Sequence, residues 1–272
     1  MLCPEDAADR RASMPEGSSA ILNTRSLKTS NRRLAEMLRP GLSVLDVGCG
    51  TGAITRGMAE AVLPNGRAVG IDANVRLIEE ARRAHGDIPG LSFDVGDIYR
   101  LPYHNSFDVV TAARVLQWLA KPLEALRTMA AAVKPGGAIL VLDYNHEKIH
   151  WQPPPPQSME TFYSGFLRWR AESGMDNAIA DHVAAMFTTI GLMGIVETPQ
   201  HEVTRRGDPD FETRLGIWAE VAASRGHQMV VDGMLTEAQR VAAEAEYRAW
   251  IRHKAECQIL YLIAVEGVRP MV

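Results

Sequence analysis

The stretch Val44-Leu45-Asp46-Val47-Gly48-Cys49-Gly50-Thr51-Gly52 decides the fold of this chain. Its branched apolar residues are typical of a buried strand, and a helical pattern opens directly after its three alternate glycines. Glycine has no Cβ, so the backbone of such a turn can bend tightly and approach a ligand closely. A parallel strand delivers the turn to the carboxyl edge of the sheet, where open α/β folds bind ligands. The stretch therefore predicts an α/β fold with a nucleotide-like ligand at this turn.

Four more strand candidates follow in alternation with helices, which indicates a parallel sheet with right-handed crossovers. The candidates lie at 68–71, 91–95, 107–111 and 138–142. The proline and glycines of Lys134-Pro135-Gly136-Gly137 predict a turn before the fifth strand.

The chain after Asp143 departs from this alternation. The expected elements are, in order, a loop over 144–151, a short helix after Pro156, a helix over 176–190, a strand over 194–204, two helices and a final strand over 258–265. Asp208-Pro209 is typical of a helix start and predicts the first of these two helices. Thr236 to Gln239 forms a capping box and predicts the second.

The length of 272 residues favours one large domain or one domain with an elaborated cap. Residues 1–17 are small and polar, and we expect a flexible tail there. Residues 18–272 are expected to form a single domain, in which 18–39 is predicted to be helical. The cap elements are expected at 18–39, 144–176 and 206–256.

Composition and charge narrow the class of partner. Hydrophobic residues make up 46% and charged residues 23%, as in ordinary soluble proteins, and the formal net charge is -4. That charge gives no general attraction to nucleic acid or anionic membranes, and no apolar run is long enough for a membrane span. The first residues lack the features of a signal peptide, and the three cysteines are far apart. We therefore expect a cytoplasmic protein with no disulfide framework and neither a nucleic-acid nor a membrane partner.

Two carboxylates after the glycine run indicate which kind of nucleotide-like ligand is bound. Asp72 ends the second strand, where a carboxylate can accept hydrogen bonds from both hydroxyls of a ribose. Gly96-Asp97-Ile98 closes the third strand, where the aspartate can accept from the exocyclic amine of an adenine and the apolar neighbour can cover the ring. The glycine spacing differs from the G-x-G-x-x-G of dinucleotide-binding folds, which argues against a NAD-linked oxidoreductase.

With two further matches, at Phe107 to Val110 and at Val133 to Gly137, the sequence resembles the class I S-adenosylmethionine-dependent methyltransferases. It looks most like the small-molecule branch that includes ubiquinone/menaquinone-type and natural-product enzymes. The matching pieces arrive in order within residues 40–145. The resemblance implies S-adenosyl-L-methionine as cofactor and S-adenosyl-L-homocysteine as product. It also implies a seven-stranded Rossmann-like sheet of order 3-2-1-4-5-7-6, with the last strand antiparallel and a helical cap.

The resemblance also implies which residues bind the cofactor. At the methionine end, Asp46 either holds the glycine loop or meets the amino group, and Arg114 lines the same end. The other implied positions are Gly48, Gly50 and Gly52 beside the carboxypropyl chain and ribose, Asp72 on the ribose hydroxyls, Ala73 beside the adenine, Asp97 on the adenine amine and Ile98 against its ring.

Methyl transfer is an in-line displacement in which the cofactor carries the reactive group and the protein aligns the acceptor. A base is needed only when the acceptor is protonated, and Tyr144 and His146, just past the fifth strand, are the nearest catalytic candidates. His146 to His150 also match the zinc-protease pattern H-E-x-x-H, which requires a stable helix. The proline run at 153–156 ends any such helix early, so we expect no metal and a loop at the edge of the active site.

The acceptor is expected to be a small organic molecule that is methylated on O, N or C. The aromatic residues after Asp143 favour an apolar or aromatic acceptor; they are Phe162, Phe166, Trp169, Trp218 and Trp250. Helical spacing favours packing of these residues in the core, and lining of an acceptor pocket is the open alternative.

Two other functions stay open. A cofactor-binding regulatory protein without transfer activity fits the same motifs, because methyl transfer requires no invariant catalytic side chain. A protein or nucleic-acid methyltransferase is disfavoured, because neither N-P-P-Y nor D-P-P-Y follows the fourth strand and the net charge is negative. The sequence also leaves the oligomeric state open, with a homodimer among the options.

Overall fold

The fold is built on an eight-stranded sheet of order β3-β2-β1-β4-β5-β8-β6, with β7 paired to β8. The computed structural model describes residues 8, 10–12 and 22–271, so most of the expected tail at 1–17 lies outside the described residues. The strands are β1 (Ser43–Val47), β2 (Arg67–Asp72), β3 (Leu91–Val95), β4 (Phe107–Ala113), β5 (Val133–Gln152), β6 (Met193–Pro199), β7 (Glu202–Arg205) and β8 (Cys257–Val268).

The first five strands are parallel, and β8 runs antiparallel to β5, β6 and β7. This confirms the expected order, in which the last strand enters antiparallel beside the fifth. The predicted sixth strand is divided into β6 and β7, so the sheet has eight strands rather than seven. The division falls at Gln200 and His201, where the His201 ring nitrogen accepts the Leu262 amide hydrogen at 3.2 Å in place of a strand carbonyl.

Helices cover both faces of the sheet and its carboxyl edge. They are α1 (Leu27–Ser30), α2 (Arg32–Met37), α3 (Ala53–Val62), α4 (Val75–His85), α5 (Pro122–Ala132), α6 (Gln157–Ala171), α7 (Ile179–Thr189), α8 (Phe211–Leu215), α9 (Ile217–Ala223), α10 (Arg225–Val231) and α11 (Glu237–His253). The prediction of one helix over 18–39 is wrong in its described part. Ser26 and Asn31 accept the amide hydrogens of Thr29 and Leu34, and each therefore starts a short helix of its own.

The loop expected over 144–151 is instead a continuation of β5. β8 is long enough to pair with β5 from Ala138 to Gln152, with an irregularity between Asn145 and His150, and so keeps this segment extended. The turn expected at 134–137 also lies within β5. There Phe107 pairs with Val133 and the next pair is Val109 with Ala138, so the intervening residues bulge out of the ladder.

The helix start predicted at Asp208-Pro209 is wrong, whereas the capping box at Thr236 is confirmed. The Asp208 carboxylate closes the turn after β7 by accepting the Arg205 amide hydrogen at 2.8 Å, and α8 begins later, at Phe211. The Thr236 hydroxyl accepts the Gln239 amide hydrogen at 3.2 Å and α11 follows directly.

Alternate residues of β1 pack on opposite faces of the sheet. Val44 belongs to one apolar cluster with Met58 of α3, and Leu45 belongs to another with Leu126 of α5 and Val183 of α7, on the opposite face. A further apolar cluster lies within the cap helices α6, α8, α9 and α11. Because both faces are covered by helices, the carboxyl edge of the parallel strands is where a site can form. Within the described ranges, no helix is long and apolar enough to cross a membrane.

Candidate active site

The glycine turn after β1 is held against the end of β2. The Gly48 amide donates to the Ile71 carbonyl at 2.7 Å, and the Gly50 amide donates to Asp72 Oδ2 at 2.9 Å. Gly48, Gly50 and Gly52 have φ angles of +76°, +56° and +76°. Side chains other than glycine rarely adopt this backbone region, so the alternate glycines are what permits the turn.

Two of these glycines also have no room for a side chain. A Cβ on Gly48 would lie 2.4 Å from Val115 Cγ2, and a Cβ on Gly52 would lie 2.5 Å from Phe93 Cζ. Carbon atoms in close-packed interiors do not approach to such distances. The turn is therefore packed directly against β3 and the segment that follows β4.

Asp46 is buried at the end of β1 and connects that strand to the helix after the turn. The Thr55 hydroxyl of α3 donates to Asp46 Oδ2 at 2.6 Å. Burial raises the pKa of Asp46 to about 7, although the hydrogen bond from Thr55 acts in the opposite direction. Of the two roles implied for Asp46, this contact suits the support of the glycine loop, and contact with a methionine amino group stays a prediction.

The carboxylates after β2 and β3 differ in their surroundings. Asp72 is half-buried, with Oδ2 bound to Gly50 and Oδ1 accepting the Asn74 amide hydrogen at 2.9 Å. Burial raises the pKa of Asp72, and the two amides partly oppose that rise. Asp97 is exposed, and its Oδ1 accepts the Tyr99 amide hydrogen at 2.8 Å at the start of a short 3₁₀ turn.

One cavity, with a volume of about 2290 Å³, joins these carboxylates to the cap. Pockets for one drug-sized ligand are smaller, roughly 300–1,000 Å³, so the space suits a cofactor together with a second molecule. Gly52 is the predicted site residue that does not line it. Those that do are Asp46, Gly48, Gly50, Asp72, Ala73, Asp97, Ile98, Arg114, Tyr144 and His146.

Arg114 lies at the centre of a buried polar cluster at the cavity wall. Its Nε donates to the Tyr144 hydroxyl at 3.0 Å, and its Nη2 donates to Glu202 Oε1 at 2.5 Å and to the Ser30 carbonyl at 3.1 Å. The Tyr144 hydroxyl donates in turn to Glu202 Oε2 at 3.2 Å. The Nη1 atom of Arg114 is buried and has no hydrogen-bond partner among the described residues. One guanidinium donor is therefore left for a ligand.

Opposite charges in this cluster hold each other ionised. Burial lowers the pKa of Arg114, but Tyr144 and Glu202 outweigh burial and the net shift is upward. Burial raises the pKa of Glu202, but Arg114 and then Arg25 outweigh burial and the net shift is downward. The pKa of Tyr144 is raised, by burial first and by Glu202 second. Tyr144 is therefore a neutral hydroxyl that already bonds to Arg114 and Glu202.

His146, the other catalytic candidate, lies in an aromatic niche of the cavity. Its ring centroid is 5.3 Å from that of Tyr144, 5.9 Å from that of Phe166 and 6.0 Å from that of Trp218. Its Nε2 is 2.6 Å from Gln117 Oε1. Burial lowers the pKa of His146 well below its ordinary value, so the ring is neutral.

The aromatic residues after Asp143 divide between the cavity wall and the core. Phe166 and Trp218 line the cavity as well as packing in the cap cluster. Phe162, Trp169 and Trp250 pack in the cap cluster and do not line the cavity. Of these aromatic residues, some therefore only pack in the core, whereas others also line the cavity.

Sequence reasoning missed Gln117 and Glu202. Gln117 lies in the 3₁₀ turn Leu116–Trp118 after β4, and Glu202 opens β7. Neither belongs to a strand-end motif of the parallel sheet. Only the pairing of β7 with β8, in which Glu202 lies opposite Leu260, brings this carboxylate to the parallel part of the sheet. No sequence pattern predicted the position of Glu202.

The H-E-x-x-H pattern lies in β5 and not on a helix. His146 is buried, whereas His150 is exposed. In the part of the chain that the structure describes, no three His, Cys, Asp or Glu side chains gather to form a metal site.

Comparison with known proteins places the chain among methyltransferases. Residues 38–187, more than half of the chain, match a family described as a methyltransferase domain. The ubiquinone/menaquinone biosynthesis C-methyltransferase UbiE of Ectopseudomonas mendocina is 38% identical over 112 residues, which cover 40% of this chain and 44% of that protein. An uncharacterized 37.1 kDa protein in transposon TN4556 of Streptomyces fradiae is 40% identical over 104 residues, 38% of this chain and 30% of that protein. The matches thus span less than half of either relative.

A solved structure shows the same fold over nearly the whole chain. It is phosphoethanolamine N-methyltransferase 2 of Haemonchus contortus in complex with phosphomonomethylethanolamine and S-adenosylhomocysteine. The likeness has a TM-score of 0.56 at 16% identity and covers 99% of this chain and 61% of that one. The strand order, the glycine turn and the family match agree, and the chain belongs to the class I S-adenosylmethionine-dependent methyltransferases.

Proposed function

We propose that this chain transfers the methyl group of S-adenosyl-L-methionine to a small, apolar or aromatic organic acceptor. The observation that carries the proposal is one cavity whose wall extends from Asp72 and Asp97 to Phe166 and Trp218. Carboxylates at one end suit the ribose and adenine of the cofactor, and aromatic faces at the other end suit the acceptor. The volume accommodates both molecules at once, as direct transfer requires.

The donor end offers unused hydrogen-bonding capacity at suitable atoms. The Asp72 carboxylate accepts two backbone amides and keeps further lone pairs for the ribose hydroxyls. Asp97 uses Oδ1 for the Tyr99 amide and keeps Oδ2 for an adenine amine, with Ile98 next to it. Arg114 Nη1 suits the carboxylate of the methionine part, because a buried guanidinium donor gains most from a charged acceptor.

In the proposed reaction, an acceptor atom attacks the methyl carbon in line with the carbon–sulfur bond. The bonding electrons return to sulfur, and S-adenosylhomocysteine is released. The cofactor supplies this reactivity, and the residues of the chain align the two molecules and exclude water. We also propose that residues 18–272 act as a single domain in which the cap helices close the acceptor end.

A small acceptor is favoured over a macromolecule because buried cap side chains wall the acceptor end. His146, Phe166 and Trp218 are all buried where they line the cavity. One relative of this chain acts in ubiquinone/menaquinone biosynthesis, which agrees with a small-molecule acceptor.

The proposal is tested by measuring S-adenosylhomocysteine formation by the full chain with separate panels of phenols, quinols, amines, peptides and RNA. We expect turnover with an aromatic small molecule, and a loss of roughly tenfold or more in Trp218→Ala with cofactor affinity kept within about threefold. Val231→Ala, an exposed change in the same cap, serves as the control. Product formed only with peptide or RNA would contradict the small-molecule acceptor, and absence of product from every panel would favour the regulatory alternative.

A further inference from the structure

Gln117 determines which nitrogen of His146 carries the proton. The Gln117 side-chain amide donates through Nε2 to the Arg114 carbonyl at 3.1 Å. Its Oε1 then faces His146 Nε2 at 2.6 Å and Arg170 Nη1 at 3.5 Å. The reverse amide orientation would set Oε1 against a carbonyl oxygen and Nε2 against a guanidinium, so it is excluded. Gln117 Oε1 is therefore the acceptor, and His146 Nε2 is the donor.

Arg170 holds this arrangement in place and opposes a second proton on the ring. Its side chain is fully buried; Nη2 donates to the Gln117 backbone carbonyl at 2.7 Å and Nε to Asn177 Oδ1 at 2.8 Å. After burial itself, the charge of Arg170 is the main influence that lowers the pKa of His146.

The other titratable groups around the ring do not reverse this effect. Asp143 accepts the amides of Gln117 and Tyr144, and burial raises its pKa to about 6. The hydroxyl of Tyr163 donates to the His146 backbone carbonyl at 2.6 Å, and burial raises its pKa too. The ring of Tyr144 packs on that of His146, and its hydroxyl is neutral because its pKa is raised.

The second ring nitrogen of His146 faces no such partner. Nδ1 carries a lone pair when the proton is on Nε2, and none of the described residues donates a hydrogen bond to it. The ring packs edge-to-face against both Phe166 and Trp218, which line the acceptor end of the cavity. This end of the cavity therefore includes a hydrogen-bond acceptor unpaired among the described residues, His146 Nδ1, next to two aromatic rings.

We propose that Gln117 is a positioning residue that holds His146 with its proton on Nε2, and that His146 Nδ1 binds and deprotonates a neutral hydroxyl of the methyl acceptor. This inference rests on the proposed function and narrows its acceptor from O, N or C to a hydroxyl oxygen. The hydroxyl oxygen forms the new bond to the methyl carbon while the carbon–sulfur electrons return to sulfur. The hydroxyl proton passes to Nδ1, and the imidazolium then releases a proton to solvent.

A hydroxyl fits this site better than an amine or an anion does. A hydroxyl oxygen that is gaining a methyl group becomes strongly acidic, so even a weakly basic imidazole can take its proton. A methylated amine is a much weaker acid and would keep its proton. An anionic group has no hydrogen to donate to Nδ1, and its lone pairs would be repelled by the lone pair on that nitrogen.

The first test reads the proton position directly, without any acceptor. In the full chain labelled with ¹⁵N-histidine, nitrogen chemical shifts distinguish the two neutral tautomers and the cation, and His146→Gln assigns the resonance. We expect a neutral ring with the proton on Nε2 from about pH 6 to about pH 9. In Gln117→Glu, a carboxylate in place of the amide raises the pKa of His146 by more than about one unit. A proton on Nδ1 in the wild-type chain, or an unchanged titration in Gln117→Glu, would overturn the proposal.

The second test follows the reaction and separates this inference from the proposed function. Turnover of a hydroxyl acceptor should fall by roughly tenfold or more in kcat for Gln117→Leu, with a smaller change in KM. In Gln117→Glu, the acid limb of the kcat profile should move to higher pH. Gln157→Glu, the same change at an exposed site at the start of α6, is the control. If the chain forms S-adenosylhomocysteine only with amine acceptors, the inference fails and the proposed function stands. If it does not bind S-adenosylhomocysteine at all, the proposed function fails.

Discussion

The Asp72 carboxylate accepts the amide hydrogen of Gly50 across 2.9 Å, and this bond joins the end of β2 to the glycine turn after β1. Burial raises the pKa of Asp72, and the hydrogen bonds from the Gly50 and Asn74 amides oppose that rise by stabilising the ionised carboxylate. The same two bonds fix the direction of its remaining lone pairs. The turn and the carboxylate therefore form one preorganised unit at the end of the cavity where we propose that the cofactor binds.

Asp72→Asn should weaken S-adenosylhomocysteine binding by roughly 10–100-fold, or about 1.4–2.8 kcal/mol. An amide cannot accept both backbone hydrogens and also offer charged lone pairs to two ribose hydroxyls. Isothermal titration calorimetry measures the change. Asp94→Asn on β3 removes an exposed carboxylate outside the cavity and should leave the affinity within about twofold. Equal affinities of the wild-type and Asp72→Asn chains would remove Asp72 from the cofactor site.

Gly48→Ala should be more damaging than Gly41→Ala, although both positions have positive φ angles, +76° and +92°. Backbone strain costs about 1–2 kcal/mol at either position. A methyl group on Gly48 would also collide with Val115, whereas nothing lies within 4 Å of one on Gly41. The difference in free energy of unfolding between the two variants, from urea titrations, isolates the steric part. Val115→Ala should recover some of the loss in Gly48→Ala, and no recovery would show that close packing at this turn is unimportant.

The parallel half of the fold was readable from the sequence because local pattern and final position coincide there. Each parallel strand is a short apolar run that ends at the same edge, so Asp46, Asp72 and Asp97 had to gather at that edge once the strand order was known. The glycine spacing carried the same information independently. These residues all lie within a continuous, repeating pattern of strand and helix.

The acceptor half was not readable, because long-range pairing decides it. The extension of β5 past His146 depends on the pairing of Asn145 and of His150 to Gln152 with β8, which lies more than a hundred residues later in the chain. The contact between Glu202 and Arg114 likewise depends on β7 pairing with β8. Asp208 shows that a local turn can also compete with a predicted helix cap. Its carboxylate accepts the Arg205 amide hydrogen in the turn after β7 and does not cap a helix.

Arg114 and Glu202 should show a coupling free energy of about 1–3 kcal/mol in a double-mutant cycle. The variants are Glu202→Gln, Arg114→Met and their combination, and urea titration gives each free energy of unfolding. Breaking the pair from either side leaves one charge without its main ion-pair partner, so each single change should cost more than its share of the double change. The pKa of Glu202 is lowered in the fold. Its stabilisation is therefore present above the ordinary pKa and lost as pH falls through the folded value. Strictly additive losses would show that the pair contributes no stability.

Asp46→Asn should remove a loss of stability that occurs as pH rises. This direction is opposite to that expected for Glu202, whose contribution is lost as pH falls. The pKa of Asp46 is raised from 3.8 to about 7 by burial, so between these values the folded chain holds a proton that the unfolded chain has released. Stability must then fall as pH rises through this window, by at most about 4 kcal/mol from this group, and the fall is complete above the folded pKa. The asparagine variant keeps an acceptor for the Thr55 hydroxyl but has no proton to lose. In urea titrations between about pH 4.5 and about pH 7.5, the wild-type chain should therefore lose stability relative to Asp46→Asn. A relative stability that stays constant or rises over that range would mean that Asp46 is already ionised in the fold, and would contradict the prediction.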